Sequence, residues 1–319
     1  MEAHALEEST RATRVAVCVI TYRRPEGLTR LLAALDALLP ADPPAELRIE
    51  VVDNDPGESA RGVCEGLAPR IAYPLAYHVE KRRGIPQARN AALARAFGWA
   101  DFVAFIDDDE TPRPEWLAEL LRAQRTAEAD AVTGPCLPDF EEDPPAWIEE
   151  GRFFERPRHA DGSRLQIAFT HNTLVRSAAL QRLDHCFDER MALTGGSDIE
   201  LFRRFARNGN SIVWADGAAV CEHVPASRVS LGWLLRRAFR VGVSHAWIDK
   251  LHAPGLRTAL HIGLHGLWCV AKGSGQLALS VLRGRIAAAI ALRLGVFGAG
   301  RLWGLAGLRY REYAVTHGS

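Results

Sequence analysis

Three consecutive aspartates at the end of an apolar segment are the residues in this sequence best suited to chemistry. The segment FVAFIDDD (102–109) ends in Asp107, Asp108 and Asp109, and Glu110 follows. Adjacent carboxylates repel one another unless a positive group lies among them. Mg²⁺ or Mn²⁺ takes carboxylate oxygens and keeps positions open for phosphate oxygens, such as those of a nucleotide diphosphate. The motif therefore predicts a divalent-cation site. A solvated acidic loop that caps the next helix is the alternative.

A further aspartate stands at the start of a predicted amphipathic helix. In the segment GGSDIEL (195–201), Asp198 occupies that position. A carboxylate there can serve as a general base, which direct displacement at an anomeric carbon requires on the acceptor hydroxyl. An ordinary helix cap has the same appearance in sequence, so both interpretations stay open at this point.

Basic residues surround a glycine just before an Ala-rich helical segment. They are Lys81, Arg82, Arg83 and Arg89, around Gly84. Arginine near a helix start suits diphosphate oxygens, although solvated surface positions are equally common for such residues. His223 follows an apolar, strand-like run and is a candidate for the metal shell or a diphosphate contact. A buried structural histidine is the alternative.

The elements that carry these residues alternate between strand and helix. Apolar runs predict strands over 15–20, 48–55, 75–80, 102–109 and 129–134, with helices after Pro25 and over 85–97 and 115–125. This alternation predicts a parallel α/β sheet with helices on both faces. Ligands of such sheets bind beyond the carboxyl ends of the strands. Thr21 and Tyr22, the turn 53–55 and the aspartates 107–109 all follow strands, so we expect them at one rim.

Composition predicts one catalytic domain with an appendage. The chain has 319 residues, of which 48% are hydrophobic, enough for a large core. Its six cysteines are widely separated and form no zinc-binding pattern, which favours a reducing compartment. Residues 1–12 are predicted to be disordered and lack the apolar run of a signal peptide, so we expect a cytoplasmic protein.

The C-terminal segment is basic and apolar. Residues 226–319 contain 13 Lys and Arg but only two acids, although the whole chain has a net charge of zero. Charged residues and histidines interrupt the apolar stretch 256–308, in which 286–308 comes nearest to a membrane span. This pattern predicts an interfacial helix on the cytoplasmic face of the inner membrane, with snorkelling arginines. A soluble helical subdomain, packed on the core or on a second copy, is the alternative. The sequence has no basic run interleaved with aromatic residues, so we do not expect nucleic-acid binding.

Six motifs along the chain support a resemblance to a known family. They occur in this order: VITYRRPEGLTRLLAAL, VVDNDP, GIPQARNAAL, FIDDDETPRPEWL, GGSDIELFRRFARNG and VCEHVPASR. Their order and spacing, over roughly residues 13–240, resemble glycosyltransferase family 2, and within it the bacterial enzymes that build succinoglycan-type exopolysaccharides. The resemblance implies a GT-A fold over 13–240, followed by a helical region over 241–319 that is a candidate for membrane association. It also implies inverting hexosyl transfer from a nucleoside diphosphate sugar, most often a uridine one, to a saccharide or polyprenol-linked acceptor.

The resemblance also implies roles for individual residues. Asp198 corresponds to the catalytic base. Asp107 and Asp109 correspond to the outer acids of the D-x-D motif that binds Mn²⁺ or Mg²⁺, with His223 as a further candidate ligand. The expected donor-nucleotide residues are Thr21, Tyr22, Arg24, Asp53, Asn54, Asp55, Arg89, Asp107 and Asp108. The expected residues of the sugar or acceptor pocket are Trp147, His171, Asn172 and Glu200.

The sequence departs from the family pattern at two places. Gly196 and Ser197 stand where many relatives carry an acid just before the base, which affects the expected acceptor contacts. The Q-x-x-R-W motif of processive synthases is missing, which favours transfer of one sugar per encounter. Two other functions remain alternatives: a haloacid-dehalogenase-like phosphatase with Asp107 as nucleophile and Asp109 as proton shuttle, and a non-catalytic domain that binds sugar nucleotides.

Overall fold

The computed structural model describes residues 11–192 and 194–308. Most of the tail predicted to be disordered, residues 1–10, lies outside the described residues, as do residues 309–319. The described chain forms two compact units that alternate along the sequence. The first comprises residues 11–137, 156–188 and 201–222, and the second comprises 138–155, 189–200 without 193, and 223–308. The division into domains at residue 240 stays a prediction.

Eleven strands are present among the described residues. They are β1 (Thr13–Thr21), β2 (Ala45–Asp53), β3 (Leu75–Val79), β4 (Phe102–Asp107), β5 (Glu110–Pro112), β6 (Ala131–Thr133), β7 (Cys136–Phe140), β8 (Arg164–Leu165), β9 (Asn172–Arg176), β10 (Ile212–Trp214) and β11 (Val220–Val224). Eight of them form one sheet in the order β3-β2-β1-β4-β9-β6-β10-β8, and three form a second sheet in the order β5-β11-β7. In the large sheet, β3, β2, β1 and β4 are parallel to one another, and β9 is antiparallel to β4 and β6.

Ten α-helices accompany the strands in the described part of the chain. They are α1 (Pro25–Asp36), α2 (Arg61–Leu67), α3 (Ile85–Ala96), α4 (Trp116–Ala127), α5 (Ala146–Glu150), α6 (Ser177–Gln181), α7 (Ser197–Arg207), α8 (Leu231–His252), α9 (Leu256–Leu279) and α10 (Gly284–Leu305). Helices α1 and α3 both begin with a proline in the first turn, where the missing N–H costs nothing.

The large sheet has a hydrophobic core on each face. Side chains alternate along β1, so Val15, Val17 and Val19 join one core while Ala16 and Cys18 join the other. Leucines of α1 and α4 complete the first core, and apolar side chains of α3, α6 and the later part of α7 complete the second. The predicted α/β sheet, mostly parallel and with helices on both faces, is thereby confirmed, although β9 and β8 are antiparallel to their neighbours.

Strand register brings the chemically promising residues to one edge of the sheet. Strand β1 lies between β2 and β4, with Thr21 opposite Asp53 and Ile20 opposite Asp107. Two strands end earlier than predicted: β2 stops at Asp53 and β4 stops at Asp107, so the acids that follow them belong to turns.

The second unit contains the three long helices of the C-terminal region. Helix α10 packs against both α8 and α9. Glycines allow these helices to come close: a Cβ on Gly298 would lie 2.6 Å from the carbonyl oxygen of Gly266, and one on Gly242 would overlap the carbonyl oxygen of Phe297. Among the described residues, α10 alone has the length and composition of a membrane span. A stretch of 18 residues in this helix has a mean hydropathy of 1.4, and 28% of that stretch is buried. Core helices of soluble proteins can have the same length and composition.

Candidate functional site

The aspartate motif, Asp107 to Asp109, is held by side chains from the end of β1, from the segment after it and from α3. The Thr21 hydroxyl donates to Asp108 Oδ2 at 2.8 Å, and Arg24 donates through one amino group to Asp108 Oδ1 at 3.0 Å and Asp109 Oδ2 at 3.1 Å. From α3, Arg89 donates to Asp107 Oδ1 at 2.9 Å. Charge-assisted hydrogen bonds of this kind fix the three carboxylates at the rim of the sheet.

Negative charge at this rim is only partly balanced. The pKa of Asp108 is raised to about 6, mainly by burial and also by the neighbouring charge of Asp109, while Arg24 opposes both. Burial, followed by the charges of Asp107 and Asp109, also raises the pKa of Glu110 well above its ordinary value. The pKa of Arg24 rises in turn because Asp108 and Asp109 outweigh the effect of its burial. A cation arriving here would relieve repulsion between these acids.

The turn 53–55 uses its side chains to shape the backbone beside Thr21. Asp53 is fully buried and accepts hydrogen bonds from the backbone of Asp55, the backbone of Ala60 and the hydroxyl of Tyr77, at 2.8 to 3.0 Å. These bonds end strand β2 at Asp53. The predicted contact of Asp53 with a nucleoside stays a prediction, but its carboxylate already has three partners within the chain.

Asn54 ties the basic loop to this turn. Its amide nitrogen donates to the carbonyl oxygens of Glu80 at 2.8 Å and Arg82 at 2.9 Å, and its amide oxygen accepts from the backbone of Gly84 at 2.7 Å. Gly84 has a φ of 150°, a conformation that favours glycine, and it directly precedes α3. Asn54 therefore fixes the start of the helix that carries Arg89.

Two guanidinium groups lie near the ring of Tyr22. The Arg83 and Arg23 guanidinium carbons are 4.8 Å and 5.2 Å from its ring centroid. Arg23 also donates to both carboxylate oxygens of Asp55, at 3.2 and 3.4 Å. Although burial raises the pKa of Asp55, the Arg23 hydrogen bond and the backbone of Gly57 lower it more, so the net change is downward. This arrangement gathers positive charge and an aromatic face next to the aspartate motif.

A buried ionic network lies behind the aspartate motif, and no pattern in the sequence identifies it. Glu110 accepts from the backbone of Asp107 at 2.9 Å and from the Cys136 thiol at 3.5 Å. Arg156 donates to Glu222 at 2.6 Å and lies 3.3 Å from His171 Nδ1. The predicted pocket residue His171 thus belongs to this network.

Asn172, the other pocket candidate of the first unit, serves the fold. Its side chain is completely buried; its oxygen accepts from Trp116 Nε1 at 2.8 Å, and its nitrogen donates to the carbonyl oxygens of Pro135 at 3.0 Å and Ala218 at 2.7 Å. Since β9 pairs with β4, Asn172 lies opposite Ile106, directly before the aspartates. These bonds hold β9 beside the strand that ends at the aspartates, and the assignment of Asn172 to the sugar or acceptor pocket stays a prediction.

Four predicted site residues belong to the second unit: Trp147, Asp198, Glu200 and His223. Trp147 lies in α5, where the Arg285 guanidinium carbon is 5.8 Å from its ring centroid, and His223 lies in β11. Asp198 is half-buried in the first turn of α7 and accepts from the backbone of Ile199 at 2.8 Å.

Helix α8 packs against residues 194–200, the segment that carries Asp198 and includes the first turn of α7; we call it the Asp198 loop. Ser244 donates to the carbonyl oxygen of Thr194 at 3.1 Å, and His252 Nε2 lies 3.5 Å from Glu200 Oε1. A Cβ on Gly196 would lie 3.2 Å from Ile248. Because Ser244, Ile248 and His252 are spaced by four residues, one face of α8 holds both ends of this loop.

A divalent cation fits the donors that the motif offers. Among the described residues, no group of three or more His, Cys, Asp or Glu side chains is arranged to hold a metal ion. Mg²⁺ commonly binds one or two carboxylates and takes its other oxygens from substrate phosphates and water. Asp107 and Asp109 supply that number of hard oxygen donors, and they flank Asp108, whose buried carboxylate lies close to Asp109.

One functional residue that sequence reasoning missed is Gly27 in the first turn of α1. A Cβ at this position would lie 2.5 Å from the carbonyl oxygen of Asp108. Only glycine allows α1 to approach the aspartate motif so closely. A glycine two residues after Pro25 was a signal for close approach, but its partner could not be known from sequence.

Known proteins similar to this chain include sequence relatives and solved structures. The profile of Glycosyl transferase family 2 matches residues 16–184. The chain is 38% identical to the succinoglycan biosynthesis protein ExoM of Rhizobium meliloti (strain 1021), over 79% of this chain and 80% of the relative. It is 24% identical to the glucosyl-dolichyl phosphate glucuronosyltransferase of Haloferax volcanii, over 75% and 77%.

Solved structures agree with these sequence matches at the level of the fold. The mannosyltransferase PcManGT from Pyrobaculum calidifontis, in complex with GDP-Man and Mn²⁺, has a TM-score of 0.60 at 19% identity and covers 93% of this chain and 88% of that one. S. aureus TarS 1-349 in complex with UDP has a TM-score of 0.53 at 18% identity, with 94% and 93% covered. The expected GT-A fold is confirmed, and the chain belongs to glycosyl transferase family 2 and is a glycosyltransferase.

Proposed function

We propose that this glycosyltransferase is inverting and metal-dependent, and that it acts in polysaccharide biosynthesis. Its donor is a nucleoside diphosphate sugar, with uridine as the favoured base. Its acceptor is a saccharide or a polyprenol-linked saccharide. The observation that carries the proposal is the cluster of Asp107, Asp108 and Asp109 at the carboxyl edge of the sheet, held by Thr21, Arg24 and Arg89.

The rim residues bind and orient the donor in this proposal. Asp107 and Asp109 hold the divalent cation, which when bound neutralises charge on the diphosphate. Arg89 is buried beside Asp107, where its guanidinium would donate to diphosphate oxygens of a bound donor. Tyr22, with its flanking guanidinium groups, offers a face and positive charge to the nucleotide. The fold neighbour bound to GDP-Man and Mn²⁺ supports this type of donor complex.

Transfer itself requires a base on the acceptor. Asp198 takes the proton of the acceptor hydroxyl, whose oxygen forms a bond to the anomeric carbon as the bond from that carbon to the diphosphate oxygen breaks. The nucleoside diphosphate leaves from the opposite face, so configuration at the anomeric carbon inverts. Ser244 and His252 of α8 keep the Asp198 loop in place during this step.

The names of two relatives support the choice of acceptor and location. One relative is a succinoglycan biosynthesis protein, and its name gives a polysaccharide product. The other is a glucosyl-dolichyl phosphate glucuronosyltransferase, and its name gives a lipid-linked saccharide. We infer that the enzyme works in the cytoplasm, at the inner leaflet where lipid-linked saccharides are presented. The sugar that the donor carries is to be identified by experiment.

The proposal is tested by separating binding from turnover. Nucleotide binding is measured as a thermal shift with UDP or GDP, with and without Mn²⁺, and transfer is measured by mass spectrometry with a panel of sugar nucleotides and a lipid extract. Asp109→Ala is expected to abolish metal-dependent nucleotide binding. Asp198→Ala is expected to keep that binding and to lose transfer by at least about 100-fold, the usual contribution of a general base.

Asp184→Ala provides a matched control, because Asp184 is exposed and lies outside the motif. It should change neither binding nor transfer. Turnover by Asp198→Ala close to that of the unaltered protein would refute the assigned base. Stabilisation by beryllofluoride instead of nucleotides would favour the phosphatase alternative, and binding without transfer in the unaltered protein would favour a non-catalytic domain.

A further inference from the structure

Exposed apolar side chains are concentrated in the C-terminal helices. Of the thirteen large hydrophobic residues that are exposed in the described chain, twelve lie within 256–308, and Leu39 is the other. Single exposed hydrophobic residues are ordinary, but a group this dense marks a surface that contacts another apolar phase or molecule.

Eight of these side chains lie on one side of α9 and at the turn after it, and we call this surface the α9 face. It consists of Leu256, Leu260, Leu264, Leu267 and Trp268, followed by Leu279, Val281 and Leu282 at the turn before α10. Spacings of three and four residues place them on one side of the helix. Leu256 is 75% exposed, and Val281 and Leu282 at the turn are 87% and 88% exposed.

The opposite side of α9 is already covered. Ile262 and Cys269 are buried there, and Gly266 and Gly273 lie against α10, where a Cβ on Gly273 would be 2.7 Å from the backbone nitrogen of Gly295. Helix α9 therefore packs within this unit through its opposite side, and the α9 face is not part of the core of the unit.

Positive charge surrounds the α9 face. Residues 251–308 contain no Asp or Glu. Two of their basic residues are engaged inside the unit: Arg301 donates to Asp249 at 2.9 Å, and the Arg293 guanidinium carbon is 5.1 Å from the Phe153 ring centroid. Arg257, Lys272 and Arg283 are exposed along α9 and at its turn, and Arg285, which lies near Trp147 at the start of α10, is exposed as well. Lys272 lies with its ammonium 4.6 Å from the Trp268 ring centroid, as in a side chain that extends from an apolar surface toward headgroups.

We propose that the α9 face docks on the surface of an anionic lipid bilayer. Its leucines, Trp268 and the turn at Leu282 enter the boundary between headgroups and acyl chains, while the basic residues bind lipid phosphates. A second copy of the chain is a poorer occupant, because a two-fold contact through this face would bring its basic residues toward one another. The proposal is independent of the sugar-transfer assignment, since no residue of the α9 face belongs to the predicted site.

Vesicle flotation of the full chain tests this proposal. The probes are vesicles of phosphatidylcholine alone and of phosphatidylcholine with about one quarter phosphatidylglycerol. We expect flotation with the anionic vesicles only, with loss of binding in high salt, because salt screens charges at a surface. Arg257→Gln/Arg283→Gln should weaken binding by about tenfold or more, as two basic residues leave the surface. Leu264→Gln/Trp268→Gln should weaken it to a similar extent.

Arg70→Gln/Arg95→Gln is the matched control, since both residues are exposed in the first unit and the same charge is removed. It should bind vesicles as the unaltered protein does. The proposal is overturned by equal binding to neutral vesicles, by binding that resists alkaline carbonate as a spanning helix would, or by no binding at all. It is also overturned if sedimentation shows a dimer that Leu264→Gln/Trp268→Gln dissociates. The charge variant alters only exposed side chains, so its result stands even if the apolar variant folds poorly.

Discussion

Replacing Asp108 with asparagine is expected to stabilise the metal-free protein at neutral pH. The pKa of Asp108 rises from 3.8 to about 6 because the carboxylate is buried next to Asp109. A folded-state pKa above the unfolded value means that the folded protein binds the proton more tightly. Stability from this group is therefore largest in acid and falls as pH rises from about 4 to about 6.

The size of the effect follows from the same two values. At about 1.4 kcal/mol for each pH unit, ionised Asp108 costs the folded state up to about 3 kcal/mol above pH 6. Asparagine has the shape of the protonated acid, and its oxygen still accepts from Arg24 while its nitrogen donates to Thr21 Oγ1. We expect Asp108→Asn to gain about 2 kcal/mol at neutral pH and almost nothing near pH 4.

Urea unfolding at a series of pH values, with metal chelated and unfolding followed by tryptophan fluorescence, measures this difference. Asp55→Asn is the control with the opposite sign. The net pKa of Asp55 is lowered, so its carboxylate stabilises the folded protein above its unfolded pKa and loses that effect in acid. Destabilisation of Asp108→Asn at neutral pH, or a pH slope equal to that of the unaltered protein, would refute the argument that burial of the ionised Asp108 carboxylate costs stability.

Two further predictions concern packing around the motif. Gly27→Ala should lower both the melting temperature and metal-dependent nucleotide binding, since its Cβ would lie 2.5 Å from a backbone oxygen of Asp108; Gly62→Ala, with nothing within 4 Å of its Cβ, should do neither in thermal-shift measurements. Asn172→Ala should cost about 3 kcal/mol in urea unfolding, because it leaves buried Trp116 Nε1 without its acceptor and removes the amide donor from two carbonyl oxygens, those of Pro135 and Ala218. A loss below about 0.5 kcal/mol would contradict the structural role of Asn172.

Local patterns in the sequence were sufficient for the elements of the fold. The runs at 15–20 and 102–109 predicted β1 and β4, and the leucine spacing after Pro25 predicted α1. Strand ends were less predictable, because β2 stops where the Asp53 side chain bonds to backbone groups further along the chain. Such bonds depend on how the chain turns and leave no periodic pattern.

The sequence by itself determined the alternating sheet, the acidic rim and the family, since periodicity and the order of motifs are written along the chain. Only the tertiary structure decided which cations face which acids: Arg24 with Asp108 and Asp109, Arg89 with Asp107, and Arg156 with Glu222. It also decided that Asn172 is buried, that Gly27 touches the motif, and that the α9 face is exposed. Burial and pairing between distant residues follow from strand register and helix packing, and neither can be read from neighbouring residues in a sequence.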